Sequence, residues 1–191
     1  MNRDEVLSRL KALLSLAPVP VSYFTRCQIA AVLVIIHYNY ANPHILLTKR
    51  SSSLKHHSGE MSFPGGRYSK NDKSLYSTAI RETKEEVGLT IKEKDIIGNL
   101  NIVKTLTSNY TIVPYVTLQD KIPKPKILVN EVERVVDVSL LDVLKTMSID
   151  TDHYHLSIKE VYKFTYQREV IWGATARILK QLHDCLYAKR K

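Results

Sequence analysis

Cysteine is scarce in this chain: only Cys27 and Cys185 occur among its 191 residues. The two fit neither the ligand spacing of a metal site nor a redox motif, which argues against a thiolate-based function. Cys27 borders an apolar stretch, where a small buried thiol is the expected role. We therefore expect a reducing, cytoplasmic environment for this protein.

Long apolar runs are absent as well. No stretch approaches the roughly 18 residues that a membrane span needs, and the first residues lack a signal-peptide layout. Leucines are interleaved there with Ser8, Arg9 and Lys11, a pattern that predicts an amphipathic helix over residues 3–16. We expect this helix to pack on the domain, and we expect no membrane partner.

The chain is basic, with a formal net charge of +9, a balance that is typical of nucleic-acid-binding proteins. The charge is spread, however: Lys121, Lys124 and Lys126 share a proline-rich loop, and residues 189–191 form a basic tail. No helix-turn-helix, zinc-finger or RNA-recognition pattern accompanies them. A basic surface also steers a polyanionic phosphate compound inward, so we expect a phosphorylated small molecule as partner and no nucleic acid.

The length and the 44% apolar content are sufficient for one substantial core. Residues 30–36 form a continuous apolar run, which predicts a central strand buried on both faces. Further patterns predict strands at 45–48, 95–104, 111–118, 131–138 and 160–166 and helices at 74–87, 139–146 and 172–187. Mixed strands with helices at both ends predict an α/β fold, a layered α/β/α sandwich with a mixed sheet.

Residues 81–89 carry the most informative pattern, Arg-Glu-Thr-Lys-Glu-Glu-Val-Gly-Leu. Glu82, Glu85 and Glu86 stand at i, i+3 and i+4, so they share one helix face, where like charges repel. A divalent cation reverses that repulsion, since Mg²⁺ takes hard oxygen ligands such as carboxylates and phosphates. The simpler interpretation is a solvated charged face in which Arg81 pairs with Glu85.

Glycines flank this acidic helix. Gly88 stands where a C-cap belongs, and residues 63–66, Phe-Pro-Gly-Gly, give a tight-turn signal just upstream. With these flanks the chain resembles the Nudix hydrolases. Their signature is Gly, five residues, Glu, seven residues and then R-E-U-x-E-E-x-G-U, where U is a bulky apolar residue. Residues 81–89 match the second half of it except for Thr83.

The first half of the signature departs from that pattern. Counted back from Arg81, the acidic position falls on Lys73 and the glycine on Arg67. Counted forward from Gly66, the acidic position falls on Asp72 instead. The loop is one residue longer than the general pattern, with Asp in place of Glu, which leaves the role of the upstream acid open.

A second motif is similar to one in the coenzyme A pyrophosphatase branch of the Nudix hydrolases. That branch carries L-L-T-x-R-S-x-x-L-x-x-H-x-G-x-x-x-F-P-G-G directly before the signature, and residues 46–66 follow this pattern. The branch also tends to carry the lengthened loop with Asp, and residues 171–179 resemble its C-terminal segment. The resemblance divides the chain into an N-terminal helix with a connector, 1–24, and a Nudix hydrolase domain, 25–191.

The resemblance implies a Nudix-type α/β/α fold and a pyrophosphohydrolase that depends on Mg²⁺ or Mn²⁺. Its substrate would be coenzyme A or a derivative, and its products 3′,5′-ADP and 4′-phosphopantetheine. Glu82 and Glu86 are the expected first metal ligands, and Glu85 is a further ligand or the base that orients water. Arg81 is expected to orient a glutamate, so Glu85, Glu86 and Arg81 form the expected catalytic set.

Substrate contacts are expected from the segment before the signature. Gly65 and Gly66 let the backbone approach metal and phosphates without a Cβ in the way. Arg50, through a bidentate fork, and Lys49 could bind phosphate, although exposed salt bridges are the simpler interpretation of both. His57 falls on the branch motif and could contact the substrate, but a structural hydrogen bond within the loop explains it equally well.

Two alternatives stay open. The chain could hydrolyse another nucleoside diphosphate derivative, such as ADP-ribose or an oxidised nucleotide, because sequence does not define the loops that contact the rest of the substrate. It could also be a non-catalytic nucleotide- or RNA-binding module, with metal-independent and strongly salt-dependent binding. Retention of all three glutamates argues against that second alternative. Family analogy suggests a homodimer, although the sequence shows no clear self-association surface.

Overall fold

The computed structural model describes residues 1–24, 28–54, 57–105, 108–151 and 161–187. The helices in these segments are α1 (Arg3–Leu13), α2 (Leu75–Val87), α3 (Leu140–Lys145) and α4 (Gly173–Tyr187). The strands are β1 (Gln28–Asn39), β2 (Asn42–Arg50), β3 (Met61–Ser62), β4 (Gly65–Arg67), β5 (Ile96–Asn99), β6 (Val103–Lys104), β7 (Tyr110–Gln119), β8 (Val132–Ser139), β9 (Ser148–Ile149), β10 (Tyr162–Tyr166) and β11 (Glu169–Ile171). Short 3₁₀ turns lie at Val21–Tyr23 and Glu93–Asp95.

The main sheet is mixed. Its strands follow the order β3-β2-β1-β7-β5, with β4 paired to β1, β6 to β7 and β8 to β2. The central pair, β1 and β7, is parallel, while the other pairs are antiparallel. Strands β9, β10 and β11 form a small separate sheet. The predicted α/β class with a mixed sheet is confirmed.

Side chains of β1 point alternately into two halves of the core. Ala31, Leu33 and Ile35 pack with Leu75, Ala79 and Val87 of α2. Val34 and Ile36 pack on the other face with buried side chains of α1 and α4. The apolar run therefore lies in a strand that is buried on both faces, as predicted, between helical layers.

The strand predicted over 95–104 is wrong in one respect, because β5 and β6 are separate. Between them, the backbone N–H and C=O of Asn101 bond to the side chain of Gln181 on α4, at 2.8 and 3.0 Å. These groups are satisfied by a helix rather than by a neighbouring strand, so the ladder is interrupted. No local pattern in the sequence marks this long-range contact.

The first helix ends earlier than the predicted residue 16. Leu14 already has extended dihedral angles, φ −74° and ψ 137°. Ser15 forms an isolated antiparallel bridge with Asn99 at the end of β5, which holds the chain extended. Val6 and Leu10 of α1 are fully buried in the core shared with α4, so this helix packs on the rest of the protein, whereas the boundary between 24 and 25 stays a prediction.

In the segments that the structure describes, every helix is too short or too polar to cross a bilayer.

Candidate active site

Helix α2 has well-defined ends. Ser74 caps its N-terminus in a capping box with Ser77, in which each side chain accepts from the other residue's backbone N–H. At the other end Gly88 adopts the left-handed conformation, with φ 69° and ψ 11°, as expected for a glycine that follows a helix. These signals were present in the sequence, and the predicted range 74–87 differs from the observed helix by one residue.

The loop that follows β7 completes the C-terminal end of α2. The N–H of Lys126 donates to the carbonyl of Val87 at 2.9 Å, and the N–H of Leu128 donates to the carbonyl of Glu86 at 3.0 Å. Carbonyls in the last turn of a helix have no partner within the helix. The basic loop predicted as a steering surface is therefore tied to the helix that carries the three glutamates.

The three glutamates occupy different environments. Glu86 is buried, with 9% of its surface exposed, and its Oε2 accepts from the N–H of Gly65 at 3.1 Å. Glu82 is half-buried and lies against Gly66. Glu85 is exposed. A solvated face would leave all three exposed, so the simpler interpretation holds only for Glu85.

Burial changes the acidity of the two inner glutamates. It raises the pKa of Glu86 to about 7, because desolvation disfavours the charged carboxylate, while the N–H of Gly65 and the charge of Arg50 partly oppose this shift. Burial also raises the pKa of Glu82, against the opposing charge of Arg81. A buried and a half-buried carboxylate, both with raised pKa values, form a site whose ionised state a cation would stabilise.

Arg81 connects the glutamates to the upstream loop. Its Nη1 lies 2.8 Å from Oε1 of Glu82 and 2.9 Å from Oε2 of Glu85. Its Nε and Nη2 donate to the two oxygens of Asp72 at 2.9 and 3.0 Å. These contacts are the ones that an orienting role of Arg81 requires, and the Arg81–Glu85 pair is also the one proposed for a simple surface helix.

Asp72 is the residue whose role the sequence left open. Besides Arg81, it accepts from the N–H of Ser69 at 3.0 Å and from the hydroxyl of Thr78 at 2.8 Å. The hydrogen bonds from Arg81 are the largest reason that its pKa falls to about 2. The one-residue-longer loop therefore brings Asp72 into direct contact with Arg81. The only sign of this contact in the sequence was an acidic residue at position 72.

We expect Asp72→Asn to destabilise the fold and to loosen Arg81. The loss is expected to be about 1–3 kcal/mol in the free energy of unfolding at pH 7, since a charge-assisted pair is broken. The low folded pKa means that this contribution is present above the usual pKa of 3.8 and is lost as pH falls through about 2. Urea unfolding of both proteins measures it. Asp142→Asn, at an exposed acid, is the control and should change stability by less than about 0.5 kcal/mol; an equal loss in both would contradict the role of Asp72.

Gly65 and Gly66 lie where backbone must approach closely. A Cβ on Gly65 would lie 2.4 Å from the carbonyl oxygen of Ala31 and 2.5 Å from Cα of Val32, and its φ is +150°. A Cβ on Gly66 would lie 2.5 Å from the carboxyl carbon of Glu82. The first glycine is required by strand packing and the second by the glutamate beside it.

Lys49 and Arg50 both make ion pairs at the end of β2. Lys49 Nζ lies 2.8 Å from Glu169, whose other partner is Arg134 at 2.5 Å. Arg50 pairs more loosely, with Nη2 3.7 Å from Glu131, and its charge acts on Glu86 by lowering that pKa. The charge of Arg50 thus acts on Glu86, whereas Lys49 is engaged in the ion pairs of Glu169 on β11.

His57 lies in the exposed loop between β2 and β3, with φ 57°. Its Nδ1 lies 3.1 Å from both carboxylate oxygens of Glu60. This is the structural loop contact that the sequence left as an equal alternative to substrate binding, and the structure gives no contact between His57 and the glutamates of α2.

Thr83 replaces the bulky apolar residue of the signature and is fully buried. Its hydroxyl has no hydrogen-bond partner within the part of the chain that the structure describes. An unsatisfied buried hydroxyl is costly, so we expect Thr83→Val to raise the free energy of unfolding by about 1 kcal/mol. Urea denaturation with an unchanged m-value measures this gain, and a loss of stability would show that the hydroxyl has a partner.

The three glutamates of α2 supply the type of ligand atom that a hard divalent cation binds. Carboxylate oxygens are the ligands that Mg²⁺ and Mn²⁺ prefer. Across the described segments, however, no three His, Cys, Asp or Glu side chains already form a group that could hold a metal ion. Glu82 and Glu85 form ion pairs with Arg81 instead. For Glu82 to bind a metal ion, its carboxylate must therefore give up part of its contact with Arg81.

Comparison with known proteins identifies the family. The NUDIX domain family matches residues 28–157. A Nudix hydrolase named NudL from Photorhabdus laumondii is 33% identical over 175 residues, which cover 88% of this chain and 90% of the relative. A NudL from Klebsiella pneumoniae is 31% identical, with coverage of 95% and 93%. The chain therefore belongs to the Nudix hydrolase family.

Solved structures show the same fold. The NUDIX domain of Shewanella oneidensis NrtR, solved with ADP ribose, aligns with a TM-score of 0.61 at 18% identity, covering 97% of this chain and 99% of that one. A MutT/nudix family protein from Enterococcus faecalis also has a TM-score of 0.61, at 16% identity, covering 95% and 68%. The predicted Nudix fold is confirmed, as is the prediction of an enzyme in this hydrolase family, whose reaction class is acid-anhydride hydrolysis.

Proposed function

We propose that this protein is a Mg²⁺- or Mn²⁺-dependent pyrophosphohydrolase that cleaves the diphosphate of coenzyme A or a derivative. Its products would be 3′,5′-ADP and 4′-phosphopantetheine. The observation that supports the reaction is the burial of Glu82 and Glu86 on one face of α2, directly beside Gly65 and Gly66. Carboxylates partly withdrawn from solvent, beside glycine backbone that lacks a Cβ, suit a hard cation and a phosphate bound to it.

Glu82 and Glu86 would hold the cation. When bound, the cation neutralises charge on the diphosphate and activates a water for attack. Arg81, held by Asp72, positions Glu82. The exposed Glu85 is a further ligand or the base that orients the water. Phosphoryl transfer depends mainly on such positioning and electrostatics.

Substrate phosphate would be bound near the same face. Arg50 is the stronger candidate because its charge reaches Glu86 and its pairing with Glu131 is loose, at 3.7 Å. Lys49 could contribute only on leaving Glu169. His57 stays a prediction that rests on the branch motif.

The coenzyme A assignment rests on residues 46–66 and on the lengthened loop that carries Asp72. We also infer a reducing cytoplasmic setting, which the free thiol of Cys185 supports. The homodimer stays a prediction.

A substrate panel tests the proposal. Purified protein with Mg²⁺ or Mn²⁺ is offered coenzyme A, ADP-ribose and an oxidised nucleoside triphosphate in competition, and products are identified by mass spectrometry. We expect coenzyme A to have the highest kcat/KM. Preferred cleavage of ADP-ribose or the oxidised nucleotide would reject the coenzyme A assignment while leaving the reaction class intact.

A further inference from the structure

Most cations around the glutamate face are neutralised by carboxylates. Arg81 pairs with Asp72, Glu82 and Glu85, as described above. Lys49 pairs with Glu169, and Arg50 with Glu131. A cation that is already paired must give up its partner before it can bind a substrate phosphate, which lowers the gain from binding.

Arg67 differs from these cations. Its Nε donates to the phenol oxygen of Tyr110, and its Nη2 donates to the side-chain oxygen of Gln28 at 2.9 Å. Its guanidinium carbon lies 5.2 Å from the centre of the Tyr110 ring, a cation–π distance. Both acceptors are neutral, and among the described residues no carboxylate lies within ion-pairing distance of Arg67. The guanidinium is oriented, but its charge is not compensated.

Strand pairing fixes this arrangement. Arg67 on β4 is the register partner of Ala30 on β1, and Gln28 on β1 is the partner of Tyr110 on β7. The three side chains therefore come from three adjacent strands and meet on one face of the sheet. A guanidinium held on two sides by neutral groups is pre-oriented, which reduces the entropy lost when it binds an anion.

Arg67 also adjoins the proposed site. It directly follows Gly66, the glycine that lies against Glu82, and its carbonyl accepts from Nη2 of Arg81 at 3.3 Å. Its side chain is exposed and leaves the sheet on the face opposite α2, since it shares that face with Ala30. It could therefore bind an oxyanion beside the glutamates, either on the diphosphate itself or on a group that extends past it.

We propose that Arg67, oriented by Tyr110 and Gln28, is a substrate-binding residue that takes a phosphate oxyanion of the nucleotide substrate. This inference rests on the proposed function, because it assigns a contact to the substrate of that same site. The oxyanion belongs either to the diphosphate or to an additional phosphomonoester, and substrates with and without that phosphomonoester distinguish the two sources.

The test compares Arg67→Gln with the wild type on coenzyme A and on dephospho-coenzyme A, which lacks the 3′-phosphate. We expect KM to rise about tenfold or more with kcat changed less than about twofold, as for the loss of a charge-assisted contact. A rise on coenzyme A alone assigns Arg67 to the 3′-phosphate, and a rise on both assigns it to the diphosphate. Arg67→Lys should recover part of the effect, because it keeps the charge and loses the fork.

Lys94→Gln is the control, because it removes one exposed positive charge at the 3₁₀ turn beside β5 and should leave both constants unchanged. A second readout is equilibrium binding of 3′,5′-ADP and of ADP without metal, where Arg67→Gln should weaken at least one of the two about tenfold. Unchanged binding and KM, or a fall in kcat alone, would overturn the inference. Absence of hydrolysis by the wild type, with binding still dependent on Arg67, would instead overturn the proposed reaction.

Discussion

Glu86→Gln is expected to lower kcat for diphosphate hydrolysis by about a thousandfold or more while the protein stays folded. Glutamine keeps the shape of the side chain and can still accept from the N–H of Gly65, but it removes the negative charge that would hold the cation. Steady-state kinetics with saturating Mg²⁺ or Mn²⁺ measure the loss. Glu93→Gln, at an exposed acid in the Glu93–Asp95 turn, is the matched control and should retain full activity.

The same substitution should stabilise the metal-free protein at high pH. The pKa of Glu86 is about 7 in the folded state against 4.5 ordinarily. The stability associated with its protonated form is therefore fully present below pH 4.5 and is lost as pH rises through about 7. Glutamine resembles the protonated form at every pH, so the variant should exceed the wild type at pH 8, by on the order of 2 kcal/mol, and equal it near pH 4.

Urea unfolding in the presence of a chelator measures that difference. If the variant is inactive but more stable, the buried charge of Glu86 lowers the stability of the fold and is needed for the reaction. A variant that is less stable at pH 8, or one that keeps more than a tenth of the activity, would contradict the role given to Glu86.

Gly66→Ala is expected to lower kcat about a hundredfold with little change in stability. The three heavy atoms nearest to the added Cβ would all belong to the carboxylate of Glu82, at 2.5–2.8 Å, so this flexible side chain has to move. A displacement of about 1 Å in a positioning group can cost a hundredfold in rate. Kinetics combined with thermal unfolding measure both parts of the prediction.

Gly65→Ala is the matched comparison, because the same added atom meets backbone. It would lie 2.4 Å from the carbonyl oxygen of Ala31, and the residue's φ of +150° is rarely adopted by alanine. We expect a loss of several kcal/mol in the free energy of unfolding, or no folded protein. Equal effects of the two substitutions on stability would contradict the distinction between a structural and a site glycine.

Local patterns predicted the parts of the fold that depend on local chemistry. The apolar run at 30–36 defined the central strand because a strand buried on both faces needs no alternation. Helix α2 was predicted within one residue, and its end was marked in the sequence by Gly88. The break between β5 and β6 was missed because its cause, Gln181, lies 80 residues away in sequence.

The site was predictable to a similar extent. Spacing alone grouped Glu82, Glu85 and Glu86, but burial of two of them depends on how α2 packs on the sheet. Lys49 could not be recognised as the partner of Glu169, which is 120 residues away. Arg67 was noted only as a departure from the signature, since its contacts come from two other strands.

The most direct test of this account is to incubate the protein with coenzyme A and Mg²⁺ or Mn²⁺ and to identify the products. We predict 3′,5′-ADP and 4′-phosphopantetheine in equal amounts, formed only with the metal and lost in Glu86→Gln. Intact coenzyme A with either metal, under conditions in which another nucleoside diphosphate derivative is cleaved, would contradict the assignment.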